Sequence, residues 1–449
     1  MSSLFREGPS DSTRDDRLAT GEVPVAVYGL GKMGLPLAAA LADATGNVTG
    51  VDVDESVVEA VNAGDCPVGN EPGLPALVAE TVADGSLTAT TEGEAAAAAA
   101  AVHVIIVPTT LHEDGVPDLS TLRAVLGTVG AGLSPDDLVL VESTVPPRTC
   151  EDVVVPLLSQ ASGLAPDAFG VAFCPERTAS GRALTDIRGA YPKVVGGVDP
   201  ASTRAAARLY EHLTDNEVVT VADATTAEAV KVFEGIYRDV NIALANELAR
   251  FADDLAIDTR EAIEVANTQP YCDLHDPGIG VGGHCIPYYP EFLASTFGRE
   301  APLIRTARDV NDGMPLLAVR ELGAALAERG IPLAGADILL LGLAYRPGVA
   351  ETRKSPARPV AERLVDLGAS VSAVDPVLED ADGFPVDLLP LGAVGEGSFD
   401  GVVLVTAHEA FDDIDWTAVG DTVVVDGRGV LDADRIPGPL RTIGDGRAR

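Results

Sequence analysis

The residues in this sequence best suited to chemistry lie in a glycine-rich stretch, GVGGHCIPYYP, at 280–290. Its cysteine, Cys285, is one of only five in the chain. A core cysteine usually lies among apolar neighbours, whereas the glycines here would let backbone amides approach a substrate. A thiolate could attack an aldehyde to give a thiohemiacetal, and oxidation would give a thioester that water cleaves. The stretch therefore indicates oxidation of an alcohol to an acid.

A second group of polar residues falls on one stripe of a long helical segment. Spacings of three, four and three place Lys231, Glu234, Arg238 and Asn241 on the same helix face. A solvated helix face would give the same pattern. Lysine is rare in this chain, however, and its four positions are Lys32, Lys193, Lys231 and Lys354. An ammonium is suited to stabilising the oxyanion formed by thiolate attack, which favours a functional role for Lys231.

A dinucleotide-binding pattern stands near the start of the chain. The segment VAVYGLGKMGLP places Gly29, Gly31 and Gly34 between a strand and a helix, where glycines allow a tight turn and close approach to a pyrophosphate. Asp52 ends the next strand, and its carboxylate could bind a ribose 2′-hydroxyl. The combination predicts NAD rather than NADP, although a glycine turn used only for packing remains the alternative.

The elements that position these residues follow from the order of apolar runs. Strand-like and helical runs alternate from residue 23, give way to a long helical stretch near 224, and alternate again from about 335. This order predicts two Rossmann-like doubly wound α/β domains joined by a central helical domain with a long spine helix. The expected boundaries are a mobile tail at 1–22, an NAD-binding domain at 23–205, a central domain at 206–330 and a last domain at 331–449.

Composition excludes several classes of protein. With 69 acidic against 31 basic residues and a net charge of −38, the chain lacks the basic footprint of a nucleic-acid-binding protein. Its apolar runs are far shorter than the ~20 residues of a membrane span, and its cysteines form no CxxC pair, so neither a disulfide framework nor a metal site is expected. A reducing cytoplasm fits the cysteine pattern, and the acidic, lysine-poor composition is typical of a halophilic source.

Several motifs together resemble the UDP-glucose/GDP-mannose dehydrogenase family. They include YGLGKMGLP, GVDVD, CPER at 174–177, the helix containing Lys231, GVGGHCIP and LGLAYRPGVAETRKSP, and the resemblance extends from residue 23 to about 430. It implies two-step oxidation of the C6 hydroxyl of a UDP-sugar to a carboxylate, with two NAD consumed. It also implies a C-terminal UDP-sugar domain, a homodimer or higher homo-oligomer, and a place in polysaccharide biosynthesis.

The resemblance also implies roles for individual residues. Cys285 would be the nucleophile, Lys231 the oxyanion stabiliser or acid/base, and Glu176 would position or activate water. The implied cofactor contacts are Gly29, Gly31, Lys32, Met33, Gly34, Asp52, Thr109, Thr144 and Arg353. The implied substrate contacts are Arg238, Asn241, Gly282, Gly283, His284 and Arg346.

The substrate is expected to be an acetamido sugar. Arg238, seven residues after the lysine, and His284 are similar to that branch of the family, with UDP-N-acetylmannosamine first, UDP-N-acetylglucosamine second and UDP-glucose third. Three positions depart from the family pattern: Gly235 replaces an asparagine, Tyr289 an aspartate and Arg148 a glycine. The alternatives are a one-step β-hydroxyacid dehydrogenase and a nucleotide-sugar-binding protein with weakened catalysis.

Overall fold

The computed structural model describes residues 4–5, 17–112 and 114–447. The chain divides into two compact units after Phe233, and the short segment Ser295–Phe297 returns to the first unit. The expected fold class is confirmed, because a parallel sheet occurs in each half of the chain and helices dominate the sequence between the two sheets.

The first unit is built on an eight-stranded sheet. The strands are β1 Val25–Tyr28, β2 Val48–Val51, β3 Leu87–Thr90, β4 Val102–Ile105, β7 Leu138–Val141, β8 Gly170–Phe173, β9 Lys193–Gly197 and β10 Val218–Thr220, while β5 Thr110–Leu111 and β6 Pro117–Asp118 form a separate antiparallel pair. The order is β10-β9-β8-β7-β4-β1-β2-β3, and only the β8–β9 pairing in this sheet is antiparallel. Its first six strands follow the Rossmann order. Strands such as VAVY and LVLV are buried throughout, as expected when helices cover both faces of a sheet.

Helices cover the sheet of the first unit. They are α1 Gly34–Thr45, α2 Glu55–Asn62, α3 Leu74–Ala83, α4 Gly93–Ala99, α5 Ser120–Gly132, α6 Val155–Ser162, α7 Ala183–Thr185 and α8 Pro200–Leu213. Aspartates begin two of them in the manner of N-caps. Asp54 accepts from the Ser56 amide at 2.9 Å, and Asp199 accepts from the Ala201 amide at 2.7 Å.

The expected mobile tail, residues 1–22, lies largely outside the described residues. Of its described positions, Leu4, Phe5 and Leu18 are buried. A Cβ added to Gly170 would lie 2.6 Å from the Phe5 ring, so this phenylalanine packs directly on β8. Three apolar side chains therefore pack parts of this polar segment against the first unit.

The long spine helix is confirmed as α9 Ala224–Ala249, which continues from the first unit into the second. At about 1.5 Å per residue its 26 residues span roughly 39 Å. The remaining helices are α10 Ala252–Leu255, α11 Thr259–Ala266, α12 Tyr289–Ala294, α13 Pro302–Glu328, α14 Ala357–Asp366, α15 Ala393–Glu396 and α16 Trp416–Val419. None of the helices in the described residues combines the length and apolar character needed to cross a membrane.

The second unit contains a six-stranded, wholly parallel sheet. Its strands are β11 Asp337–Leu341, β12 Ser370–Val374, β13 Asp387–Leu388, β14 Gly401–Leu404, β15 Val423–Asp426 and β16 Leu440–Thr442. The order β13-β12-β11-β14-β15-β16 is again the Rossmann order. The segment after β11 carries the LGLAYRPGVAETRKSP motif to the carboxyl edge of the sheet, where ligands bind in this fold.

Candidate active site

The turn between β1 and α1 has the shape of a dinucleotide-binding loop. Gly29 has φ +99°, and a Cβ there would lie 2.4 Å from the Ile106 carbonyl oxygen. A Cβ on Gly34 would lie 1.9 Å from the Gly29 carbonyl oxygen, whereas one on Gly31 would meet nothing within 4 Å. Packing therefore requires the first and third glycines, and the second faces open space where a pyrophosphate can approach the backbone.

Asp52 and Thr109 add polar groups that fit NAD. Asp52 is half-buried at the end of β2, and its Oδ2 accepts a hydrogen bond from the Leu30 amide at 2.7 Å. This bond holds the carboxylate beside the loop, in the position that binds a ribose in this fold. The Thr109 Oγ1 is buried and has no hydrogen-bond partner among the described residues. A buried hydroxyl without a partner is rare in proteins and is consistent with a contact that a ligand supplies.

A buried carboxylate holds the segment that follows Thr144. Glu228 on α9 is fully buried, and it accepts hydrogen bonds from the Cys150 amide at 2.7 Å and the Arg148 amide at 2.5 Å. Burial raises the pKa of Glu228 to about 7. Arg148 has φ +78°, which explains why a glycine suits this position in the family. Its guanidinium pairs with Asp152 at 2.8 Å.

Lys231 and Glu176 lie together in the first unit. The Lys231 ammonium is buried, donates to the Glu176 carbonyl oxygen and lies 3.9 Å from the Glu176 Oε2. The Glu176 Oε1 accepts from the Thr178 amide. The Thr178 hydroxyl in turn lies 3.1 Å from the Met33 sulfur. The structure thus brings an ammonium and a carboxylate to the segment that touches the dinucleotide loop, while Lys32 of that loop is exposed.

Cys285 lies in the second unit, and it is the exposed member of the five cysteines, all of which are described. Gly283, two residues earlier, has φ +90°, and its amide donates to the Arg353 carbonyl oxygen at 2.8 Å. A Cβ on Gly282 would lie 2.7 Å from the Tyr345 Cβ. The glycines therefore let the thiol loop lie directly on the segment after β11, which also contains the half-buried Arg346.

A histidine lies beside the thiol, and a glutamate lies beside that histidine. The His284 Nδ1 lies 3.7 Å from the Glu351 Oε1, and the Arg353 Nε lies 3.8 Å from the same oxygen. The pKa of His284 is raised, chiefly by its hydrogen bond with Cys285. A protonated imidazole stabilises a neighbouring thiolate. Glu351 was not among the residues expected from sequence, although it lies within the GVAETRKSP motif.

Two expected substrate contacts lie on the exposed part of α9. Arg238 is exposed. The Asn241 amide is engaged on both sides, because its Nδ2 donates to the Asp273 carbonyl at 2.6 Å and its Oδ1 accepts from the His275 amide at 2.9 Å. The structure therefore gives Asn241 a role in holding the 273–275 segment against the helix.

Two of the departures from the family pattern contact each other. Tyr289 begins α12 and is buried, and its amide donates to the Cys285 carbonyl at 3.1 Å. A Cβ added to Gly235 would lie 1.9 Å from the Tyr289 Cδ2. The tyrosine ring therefore occupies the volume that any side chain at 235 would need. The loss of the asparagine and the gain of the tyrosine form one coupled exchange.

Comparison with known proteins gives matches along almost the whole chain. Family models match the NAD binding domain of the UDP-glucose/GDP-mannose dehydrogenase family at residues 23–214, its central domain at 225–313 and its UDP binding domain at 339–433.

Similar proteins cover the chain nearly end to end. A UDP-N-acetyl-D-mannosamine dehydrogenase of Pyrococcus horikoshii is 36% identical over 428 residues, which is 94% of this chain and 99% of that protein. Its solved structure matches with a TM-score of 0.87 and 35% identity, covering 95% of this chain and 100% of that one. An NDP-N-acetyl-D-galactosaminuronic acid dehydrogenase of Ralstonia nicotianae is also 36% identical, over 92% of this chain and 97% of that protein. With its dinucleotide loop, its exposed cysteine on a glycine loop and these matches, the chain belongs to the UDP-glucose/GDP-mannose dehydrogenase family and is an NAD-dependent oxidoreductase.

Proposed function

We propose that the protein oxidises the C6 hydroxyl of UDP-N-acetyl-D-mannosamine to the carboxylate, giving UDP-N-acetyl-D-mannosaminuronate. The observation that carries this proposal is Cys285, an exposed thiol beside His284 on a loop whose backbone only glycine permits. A one-step alcohol dehydrogenase needs no such nucleophile. The acetamido sugar is supported by relatives of that name that are 36% identical over most of the chain.

The chemistry proceeds through a covalent adduct. NAD, when bound, accepts a hydride from the sugar carbon in each of the two oxidations. The Cys285 thiolate adds to the C6 aldehyde, and the carbonyl π electrons become the oxyanion of a thiohemiacetal. Loss of the second hydride gives a thioester. Water then adds to the thioester carbonyl and expels the thiolate, which leaves the carboxylic acid.

The roles given to Lys231 and Glu176 are those that the resemblance to the family implies, and the charges of the polar residues suit them. His284 stabilises the thiolate before attack. Lys231 supplies a positive charge for the oxyanion, and Glu176 holds the water that cleaves the thioester. Arg346, Gly282 and Gly283 contribute to UDP-sugar binding together with Arg238, and Arg353 and Thr144 to NAD binding. Asn241 acts on the substrate indirectly, through the segment that it holds.

The test is the number of NADH formed per sugar, measured in molar KCl. UDP-N-acetylmannosamine, UDP-N-acetylglucosamine, UDP-glucose and UDP-N-acetylgalactosamine are compared. We expect two NADH per molecule of UDP-N-acetylmannosamine and lower kcat/KM with the other sugars. We expect Cys285→Ser to fold and bind NAD, which circular dichroism and fluorescence titration check, and to produce no carboxylate. Equal turnover by Cys285→Ser would exclude the thioester route, and binding without turnover by the native protein would favour a binding protein.

The protein acts as a homodimer through an apolar stripe on α9 and α10. Tyr237, Leu244, Leu248, Phe251 and Leu255 are between 37% and 61% exposed. Spacings of seven and four place the first three on one stripe of α9, and Phe251 and Leu255 follow at the two ends of α10. A contiguous exposed stripe of this kind marks an interface with another molecule. Light scattering should give twice the chain mass, and Leu244→Lys with Phe251→Lys should halve it. The exposed Val265 lies on another helix, so Val265→Lys serves as the control.

The acidic surface indicates that the protein functions in concentrated salt inside the cell. Mutual repulsion among 69 carboxylates is screened at molar salt and is strong in dilute buffer. We expect the free energy of unfolding to rise with KCl concentration. A fold and activity unchanged in dilute buffer would exclude a halophilic source.

The product suits polysaccharide biosynthesis, and the expected domain boundaries at 23–205, 206–330 and 331–449 can be tested by limited proteolysis.

A further inference from the structure

The segment Cys174–Glu176 is held by two of the four lysines in the chain. It follows directly after β8, where the Cys174 amide donates to the Val141 carbonyl at 2.9 Å and the Glu176 amide to the Glu142 carbonyl at 3.5 Å. Beyond that point the carbonyl groups need other partners, because buried backbone oxygens are almost always hydrogen-bonded. Lys231 donates a hydrogen bond to the Glu176 carbonyl oxygen. Lys193 donates to the two preceding carbonyl oxygens.

Lys193 lies at the start of β9 and uses its whole ammonium group inside the unit. Its Nζ lies 3.0 Å from the Cys174 carbonyl oxygen, 3.2 Å from the Pro175 carbonyl oxygen and 2.7 Å from each carboxylate oxygen of Glu142. An ammonium with three donors can serve such diverging acceptors. The planar fork of an arginine has a different geometry, which explains a lysine here in a chain where only four of the 31 basic residues are lysine.

Two further buried groups hold Lys193 itself. Glu142 is 1% exposed and directly follows β7, and the Tyr210 hydroxyl of α8 donates to it. The Tyr210 ring lies under the ammonium, 4.4 Å from Nζ to the ring centroid, a distance typical of a cation–π contact. Burial raises the pKa of Glu142, and the charge of Lys193 opposes this effect.

We propose that Lys193, held by Glu142 and Tyr210, is a positioning residue that fixes the Cys174–Glu176 segment and thereby the Glu176 carboxylate. This inference rests on the proposed role of Glu176 in thioester cleavage. Because the cluster holds the backbone before the Glu176 carboxylate and hydrolysis is the step assigned to that carboxylate, its loss should slow hydrolysis and spare both oxidations.

The test removes both charges of the pair, since a buried carboxylate left without its cation would destabilise the fold. The Lys193→Met/Glu142→Gln variant is mixed with NAD and UDP-N-acetylmannosamine, and the reaction is quenched with acid. The mass of the intact chain is then measured by mass spectrometry. We expect a thioester adduct on Cys285 to accumulate, with hydrolysis slowed about 10- to 100-fold, an undiminished first burst of NADH and an unchanged KM for NAD. A general structural defect would lower the burst and the hydrolysis together.

The matched control removes another ion pair of the same unit. Arg188 and Asp43 are exposed and lie 3.0 Å apart, so Arg188→Gln with Asp43→Asn should accumulate no adduct. Wild-type hydrolysis by the folded Lys193→Met/Glu142→Gln variant would overturn the inference. If that variant does not fold, the Lys193→Arg variant, which keeps the charge, is measured instead. Accumulation of the adduct then supports the inference, and wild-type hydrolysis overturns it.

A crystal structure of the variant tests the inference without turnover. We expect the Cys174 and Pro175 carbonyl groups to rotate or shift, and an unmoved segment would overturn the proposal. Failure of the native protein to form either NADH or the adduct with any sugar would refute the proposed function instead, so the two failures can be told apart.

Discussion

Replacing Gly235 with alanine tests the coupled exchange between Gly235 and Tyr289. In an open helix position, glycine to alanine stabilises a protein by about 1 kcal/mol. Here the new Cβ would lie 1.9 Å from the Tyr289 Cδ2 and 2.8 Å from its Cγ, about 1.5 Å inside normal contact distance. The ring cannot move freely, because it is 7% exposed and packs on Phe292 with ring centroids 5.8 Å apart.

Whether Gly235→Ala stabilises or destabilises the protein depends on the Tyr289 ring. Overpacking costs about 1–3 kcal/mol, so we expect Gly235→Ala to lower the free energy of unfolding by about 1–2 kcal/mol. In the Tyr289→Ala background the space is empty, and the same change should stabilise by about 0.5–1 kcal/mol. The coupling between the two positions is then about 1.5–3 kcal/mol, within the range for residues in contact.

Urea unfolding in molar KCl, followed by circular dichroism, measures the free energy of unfolding of the native protein, the two single variants and the double variant. Gly313 lies inside α13, and a Cβ there would meet nothing within 4 Å. Gly313→Ala should therefore stabilise both backgrounds equally. Stabilisation of the native protein by Gly235→Ala, as by Gly313→Ala, would exclude overpacking against the Tyr289 ring. An effect of Gly235→Ala that keeps its sign after removal of the ring would exclude it too.

Three further changes test the first unit. Arg148→Gly should raise the free energy of unfolding by about 0.5–1 kcal/mol, because relief of the positive φ outweighs an exposed ion pair with Asp152. The Glu228 carboxyl has a pKa of about 7 in the folded state, against an ordinary value of 4.5. Between these two pH values the folded state binds more protons than the unfolded state. The free energy of unfolding therefore falls as pH rises through this range, by up to about 1.4 kcal/mol per pH unit. Glu228→Gln should flatten that slope in pH-dependent unfolding. Asp52→Asn keeps the acceptor for the Leu30 amide and should weaken NAD binding about tenfold while improving NADP binding, measured by fluorescence titration.

Each of these three predictions has a result that would contradict it. A less stable Arg148→Gly would show that the guanidinium pair contributes more than the backbone strain costs. The exposed Glu80 provides Glu80→Gln as the control for Glu228, and equal slopes in the two variants would exclude Glu228 as the source of the pH dependence. Unchanged preference for NAD over NADP in Asp52→Asn would remove this carboxylate from cofactor selection.

The sequence by itself determined the fold class and the cofactor, and it singled out Cys285 as the candidate nucleophile. Alternating apolar runs encode strands and crossover helices locally, because each run must bury its own face. The glycine spacing from Gly29 to Gly34 and the strand that ends at Asp52 encode the dinucleotide loop within about 25 residues. Cys285 stood out for the same reason, since three glycines lie within the five residues before it. Rarity of lysine pointed to Lys193 without giving its task.

Only the tertiary structure decided which distant groups became partners. Lys193 meets Glu142 across 51 positions, and Tyr210 meets the same carboxylate across 68. Glu228 reaches the Cys150 amide across 78 positions. Burial requires that each such polar group find a partner, but the sequence does not state which one. That choice depends on the order of strands in the sheet, which places β7, β8 and β9 side by side and so brings Glu142, the Cys174–Glu176 segment and Lys193 to one point.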